Sequence, residues 1–243
     1  MFLFPRPVVQ LPNLATPSAA DLAAKVAPAP ESQALLKPGM SASEYIHTLE
    51  QKKQSVDAVK ALAHGMPERD AVAWAAQSSQ KVAAKLNPQE QAAAQAAAAW
   101  VQNPTEATQA AAAEAAGKTD FSGPGGWAAQ AAAWSKQPPA SAATAGAPAA
   151  GTAAPALAQK AVVGAILLAA GLANRPPMGP PQKPDLQAQA AAKDGPSAAA
   201  PNAGAPAAAG VDAPPIDQSK MAKALQPFID LGKGIASGKS AVT

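Results

Sequence analysis

Asn87-Pro88-Gln89-Glu90-Gln91-Ala92-Ala93-Ala94-Gln95-Ala96-Ala97-Ala98-Ala99-Trp100-Val101-Gln102-Asn103-Pro104-Thr105-Glu106 begins and ends on the same signal. Asn is a strong helix N-cap, proline suits the first helical position, and a Glu three residues after the Asn can reach back to the cap. Each Asn-Pro-x-Glu therefore closes one helix and opens the next. The run between them makes about three and a half turns, which predicts an antiparallel helical hairpin. Alanine lets such helices approach closely because it has the best helix propensity and almost no bulk.

Small contacts bury little area, so large anchors are needed. Trp74, Trp100, Trp127 and Trp134 are the candidates, since each can bury about 150–250 Å². On a helix from Pro67 to about Leu86, Trp74 shares a stripe with Ala71, Ala75, Ser78 and Val82, while Val72, Ala76 and Ala83 form a second small-residue face. A helix with two such faces belongs at the centre of a bundle. Trp100 continues the stripe of Ala93, Ala97 and Val101, and Trp127 and Trp134 share a face with Ala131. A ligand platform or an interface hot spot would also use tryptophan, but helical spacing in an alanine background favours a structural core. The core region is 41–136.

Toward the N-terminus, 1–40 reads as an arm with one short helix. Phe2-Leu3-Phe4 opens it, but Pro5 and Pro7 interrupt the run and no long apolar segment of the targeting type follows. Thr16-Pro17-Ser18 starts the short helix and Ala27-Pro28-Ala29-Pro30 ends it. Ser41-Ala42-Ser43-Glu44 is a capping box. It opens a single expected helix to His64-Gly65 with Tyr45, Ile46, Leu49, Val56, Val59 and Leu62 on its apolar face and Glu50, Lys52, Lys53 and Lys60 on a solvated one.

Toward the C-terminus, 137–154 and 174–216 are rich in Ala, Pro, Gly and Ser and read as disordered linkers. Between them, 155–173 is an apolar helix whose uncharged run is too short for a membrane span of about 20 residues, so it should pack on the core. The last element, 217–243, is amphipathic, with Met221, Leu225, Phe228, Ile229 and Ile235 opposite Lys220, Lys223 and Lys233. Pro227 should kink or divide it. Its apolar face is the candidate partner surface, with three destinations open: the bundle, a partner's groove, or an anionic membrane. The fold class is all-α, an antiparallel bundle with Ala-rich close packing interrupted by long Ala/Pro-rich linkers.

The residues argue against most site chemistry. The chain of 243 residues has no cysteine and a net charge of +3 from scattered Lys and Arg, so neither disulfides nor a nucleic-acid stripe is expected. His47 and His64 are seventeen residues apart with no acidic cluster beside them, too far for shared metal binding. His64, next to Gly65, reads as a helix C-terminal residue that favours the dipole. Phe121-Ser122-Gly123-Pro124-Gly125-Gly126 lacks the preceding strand and following Lys-Ser/Thr of a phosphate loop and reads as a flexible connector. Gly234-Ile235-Ala236-Ser237-Gly238-Lys239-Ser240 has three residues between its glycines where the phosphate-binding loop has four, and it follows a helix. No catalytic residue, metal or cofactor is expected.

Arg69-Asp70-Ala71-Val72-Ala73-Trp74-Ala75-Ala76, Ala99-Trp100-Val101-Gln102-Asn103-Pro104-Thr105-Glu106, Gly126-Trp127-Ala128-Ala129-Gln130-Ala131-Ala132-Ala133-Trp134-Ser135 and Leu157-Ala158-Gln159-Lys160-Ala161-Val162 follow one another in an order that resembles an uncharacterised family of helical bacterial proteins, often encoded beside type VI secretion genes. The resemblance covers about 40–173. It implies a cytoplasmic accessory or adaptor protein of a contractile secretion apparatus with protein partners, and supplies no catalytic residues. The chain departs from the pattern in its Ala/Pro inserts and in Gln109, where a basic residue is common. Three functions remain to be weighed: a non-catalytic protein-interaction module, a peripheral membrane protein using 156–173 and 217–237, and an enzyme of unknown class.

Overall fold

The computed structural model describes residues 10–135, 156–175 and 218–238. The two linker readings fall almost wholly outside these residues, as does the Phe2-Leu3-Phe4 segment. The fold is all-α, and among the described residues the sole extended pairing is an isolated bridge between Ser18 and Ser41.

Helix α1 (Ala19–Val26) is capped by the Ser18 side chain, which accepts from the Asp21 N–H, and ends at Ala27 in the left-handed conformation. The arm holds a second short helix, α2 (Pro30–Gln33), beyond the one expected; Pro30 sits in its first turn, where the missing N–H costs nothing. The Ser41 capping box opens α3 (Ala42–Gln51) as read. That helix does not run on to Gly65. It stops at Lys52, the chain turns through Lys53 at φ +60°, and α4 (Ser55–Gly65) begins anew. Lys52 and Lys53, expected on the solvated face, are three and four residues after Leu49 and would fall on the inward stripe of Tyr45, Ile46 and Leu49, so a continuous helix would bury two ammonium groups.

Helix α5 (Glu68–Lys81) is the centre of the bundle, packing against α4 and against α6 (Pro88–Gln102), α8 (Pro124–Trp134), α9 (Ala156–Ala173) and α10 (Gln218–Ala236). It ends earlier than expected, in a 3-10 turn over Ala83–Lys85. Helix α7 (Glu106–Gly117) packs on α6 and α8.

The two Asn-Pro signals are used differently. Asn87 caps α6 by accepting from the Glu90 N–H. Asn103 instead closes α6, and Thr105 is the cap of α7 in a box with Thr108. Neither glutamate reaches back to its asparagine. Glu90 is only 1 % exposed, and its carboxylate accepts from the Gly123 N–H (3.2 Å) and the Gly126 N–H (2.8 Å), so it caps the start of α8 across the bundle. The Phe121–Gly126 stretch is therefore no free connector. A Cβ on Gly125 would collide with the Glu90 carbonyl oxygen and one on Gly126 with Thr119 Oγ1. The glycines permit a close approach, and a carboxylate of the chain itself occupies the helix N-terminus where an external anion could otherwise bind.

The opposite helix ends are held the same way. Gln109 of α7, buried, donates from Nε2 to the carbonyls of Ala133 (2.9 Å) and Ser135 (2.8 Å) at the end of α8. Arg69 Nε donates to the Val101 carbonyl (2.7 Å) at the end of α6, and Lys85 Nζ to those of Leu172 (2.8 Å) and Ala173 (2.9 Å) at the end of α9. These contacts satisfy carbonyls that a helix leaves unpaired and oppose the dipole with cationic or amide donors. They also fix direction. The start of α5 meets the end of α6, the start of α7 meets the end of α8, and the starts of α6 and α8 meet, so α5 and α7 run against α6 and α8.

Candidate docking site of the terminal helix

The site is the face of α4, α5 and α9 on which α10 lies. Trp74 forms its floor. Its side chain is fully buried, and its Nε1–H donates to the Phe228 carbonyl of α10 at 2.8 Å. A carbonyl has two lone pairs, so Phe228 can accept this bond alongside its helical one. Gly232, one turn on, lies against the indole: a Cβ there would stand 2.7 Å from Trp74 Cε2. Glycine within a helix costs about 1 kcal/mol against alanine, and here it supplies the space for the ring.

Around this contact are two polar locks. Lys233 Nζ donates to both Glu50 oxygens, at 3.0 and 3.1 Å, with the side chains 18 % and 10 % exposed. At the end of α10, the Asn13 N–H donates to the Ala236 carbonyl (3.0 Å) and its side chain to that of Ile235 (3.4 Å). The helix is continuous through Pro227, neither divided nor replaced by two short helices. Pro227 and Lys223 lie on its exposed side, so the carbonyl of Lys223 that loses its helical partner faces water.

Of the residues proposed as a partner surface, Leu225, Phe228, Ile229 and Ile235 are buried against the bundle and Met221 is half-buried on it. They do not form a free surface, because burying them here removes their apolar area from water. Glu50, expected on a solvated face, belongs to the dock, as do Asn13 and Gly232. Of these three, Gly232 alone had a signal in the sequence: a glycine inside an amphipathic helix marks close approach.

The other tryptophans divide. Trp100 is buried, and its Nε1–H finds no acceptor among the described residues. Trp127 and Trp134 are half-buried. Trp127 donates to the Phe121 carbonyl (3.0 Å), meets the Phe121 ring at 5.2 Å and covers Gly164 of α9. Gln109 acts on the end of α8, so its difference from a basic residue concerns a helix end and not a partner surface; a lysine or arginine there would offer donors to the same carbonyls.

Titratable groups are dispersed. His47 Nε2 lies 2.9 Å from Gln51 Nε2 beside an open groove of 440 Å³ at the start of α3, where Glu44 is already committed to Ser41. His64 is held below the usual histidine range by burial and then by the charges of Lys160, Lys25 and Lys60. That makes the imidazole harder to protonate, against the role of a cation on the α4 dipole. Asp57 stays below the usual carboxylate range: burial opposes ionisation, but hydrogen bonds, among them those with Lys60 and the Ala29 N–H, outweigh it. Asp70 is pushed up by burial, partly offset by Arg69. Among the described residues no three His, Cys, Asp or Glu side chains are grouped to hold a metal, and no helix is long and apolar enough to cross a membrane.

A helical bundle in which buried Glu90 and Gln109 hold helix ends is the class these features define. The chain belongs to a family of unknown function (DUF6931), which matches residues 45–182, from Tyr45 of α3 to beyond the end of α9. α10 and Asn13 lie outside that match, whereas Glu50 and Trp74 lie within it. Neither the curated proteins nor the solved structures include a match to this chain.

Proposed function

We propose that this chain is a non-catalytic helical interaction module, a cytoplasmic accessory or adaptor protein of a bacterial type VI secretion assembly, and that α10 is its exchangeable element. The observation that carries the interaction reading is the way α10 is held: one apolar face, one indole-to-carbonyl bond, the Lys233–Glu50 ion pair and the Asn13 bonds at its end, on a helix joined to α9 by more than 40 residues of chain. The secretion setting and the cytoplasmic location come from the resemblance in the tryptophan succession. The non-catalytic reading is supported by the commitment of Glu90, Gln109, Arg69 and Lys85 to helix ends.

The magnitudes define the mode of exchange. Exposing a side chain such as Leu225, Phe228, Ile229 or Ile235 costs roughly 1.5–3 kcal/mol each. Spontaneous release is therefore rare, and α10 leaves in exchange for an equivalent apolar face. α9 has no comparable polar side, so its release is costlier still. In hydrogen exchange on the full chain, 218–236 should open well before 161–173. Gly232→Ala, which drives a methyl into Trp74, should remove protection from α10 while α5 to α9 keep theirs. Equal protection of α9 and α10, or global loss of protection in the variant, overturns the exchange mechanism. Capture of secretion components from the native cell by the full chain, but not by a chain ending before Gln218, is the expected result for the adaptor role. Equal capture by both removes α10 from that role, and capture of none removes the secretion setting.

A further inference from the structure

A helix on the outside of a bundle ordinarily turns polar side chains to water. α10 does so with Lys223, Gln226 and Asp230, and α7 with Glu106, Glu114 and Lys118, all of them exposed. α8 and α9 do not. α8 contains no charged residue, and its half-buried positions Trp127, Gln130 and Trp134 share one face. On α9, Leu157, Lys160, Gly164, Leu167, Leu168 and Gly171 are half-buried or exposed and share a face on which Lys160 is the one charge. The two faces adjoin. The Trp127 ring lies 3.5 Å from where a Cβ on Gly164 would stand, and the Phe121 ring meets Trp127 at 5.2 Å. A Cβ on Gly171, two turns beyond Gly164, would meet nothing within 4 Å, so the face is open there.

Both ends of this apolar face are positive. Lys160 is exposed at one, in a helix with no acidic residue in its first turn. Arg175 is exposed at the other, where Lys85 Nζ also stands, donating to the Arg175 carbonyl at 2.6 Å. Asp120, just before Phe121, is turned onto the Ser122 N–H (3.1 Å) and hydroxyl (2.6 Å). The charge pattern selects the partner. A second copy laid along the face would set Lys160 against its own counterpart or against Arg175, and like charges facing each other are costly. A surface of many negative groups over an apolar interior accepts both ends at once, and its boundary is where tryptophan is favoured.

We propose that the α8–α9 face is an adsorption surface for an anionic lipid bilayer, with Trp127, Trp134, Leu167 and Leu168 entering the headgroup boundary and Lys160 and Arg175 meeting lipid phosphates. The chain lies on the bilayer and does not cross it: among the described residues no helix is long and apolar enough to span. α10 has no part in this surface, because the bundle already covers its apolar side. α8 therefore takes the place beside α9 that the sequence reading of a peripheral membrane protein gave to 217–237.

The test uses the full chain and vesicles of equimolar phosphatidylglycerol and phosphatidylcholine. Binding in co-sedimentation should be about tenfold stronger than to phosphatidylcholine alone, the effect of two cations near an anionic surface. With brominated phosphatidylcholine in the same vesicles, emission from Trp127 and Trp134 should be quenched and that of the buried Trp74 and Trp100 spared. Quenching should therefore vanish in Trp127→Phe/Trp134→Phe. Gly171→Glu puts a carboxylate on the face where the space is open, so it should weaken binding severalfold at unchanged helicity. Gly171→Ala should bind as the unmodified chain does. Failure to bind, equal binding to both vesicles, quenching that survives in the double variant, or full binding by Gly171→Glu overturns the lipid surface. A lipid-free dimer that Gly171→Glu dissociates overturns it as well, and gives the face to a second copy.

Discussion

The α3–α4 hairpin and the trio α6 to α8 are built from opposite materials. The hairpin buries Tyr45, Ile46, Leu49, Val59 and Leu62, and α3 is capped by its own neighbours in the Ser41–Glu44 box. The trio buries Ala93, Ala97, Ala112, Ala116, Ala128 and Ala131 along with Trp100, and, beside the local caps Asn87 and Thr105, both ends of α8 and the end of α6 are tied by side chains from other helices: Glu90 and Gln109 to α8, Arg69 to α6. Where apolar bulk is ample, helix ends can look after themselves. Where it is scarce, the polar residues both satisfy the ends and set which helices lie side by side. On this comparison, losing a remote clamp in the trio should cost far more than losing a local cap in the hairpin.

The largest expected effect tests that directly. Glu90→Ala leaves the N–H groups of Gly123 and Gly126 buried without an acceptor, at a cost of roughly 2–5 kcal/mol. Glu90→Gln keeps one acceptor oxygen and should lose less. Chemical denaturation checks both, and a change below about 1 kcal/mol for Glu90→Ala would show that water replaces the carboxylate and that the trio does not depend on its clamps.

The same contrast decides what could be read from the sequence. Ser41-x-x-Glu44 was legible because donor and acceptor lie within one turn, and the centrality of α5 was legible because two small-residue faces are a local pattern. The role of Glu90 was not, since nothing in Asn87-Pro88-Gln89-Glu90 distinguishes a glutamate that reaches back to its own cap from one that meets Gly123, 33 residues away. Thr105 was passed over as the α7 cap for the same reason: Asn103 offered an equally good local signal. The break at Lys52–Gln54 was legible in the lysines that interrupt the stripe, but a broad apolar face masked it. The dock of α10 on Trp74 joins residues 154 apart, and no local rule reaches across that distance.

The intermediate effect sharpens the contrast in packing. Ala97 is fully buried in α6, in a region where the separation between helices is set by methyl groups. Ala97→Leu should destabilise by roughly 1–3 kcal/mol through overpacking, as read from the thermal midpoint. A neutral result would mean that the alanine interfaces have slack, and that clamps alone, not close packing, fix the trio.

The smallest effect is expected on the self-sufficient side. Ser41→Ala removes the hydroxyl that accepts from the Glu44 N–H and donates to the Glu44 carboxylate, while the Ser41 N–H to Glu44 bond can persist. Loss of such a cap costs about 1 kcal/mol, less than the Glu90 clamp because both ends of the box face water and solvent can replace what is lost. The box also sets a pH dependence. The backbone and hydroxyl of Ser41 hold Glu44 below its ordinary carboxylate range. The contribution of the box is therefore complete above the ordinary carboxylate pKa and is lost as pH falls through the lower folded value. In Ser41→Ala the Glu44 midpoint, followed by NMR, should move up toward the ordinary value while the buried Tyr45 and Ile46 signals stay where they are. If the hairpin core shifts as well, the local cap is coupled to the packing beneath it, and the division between a self-capped hairpin and a cross-tied trio loses one of its two sides.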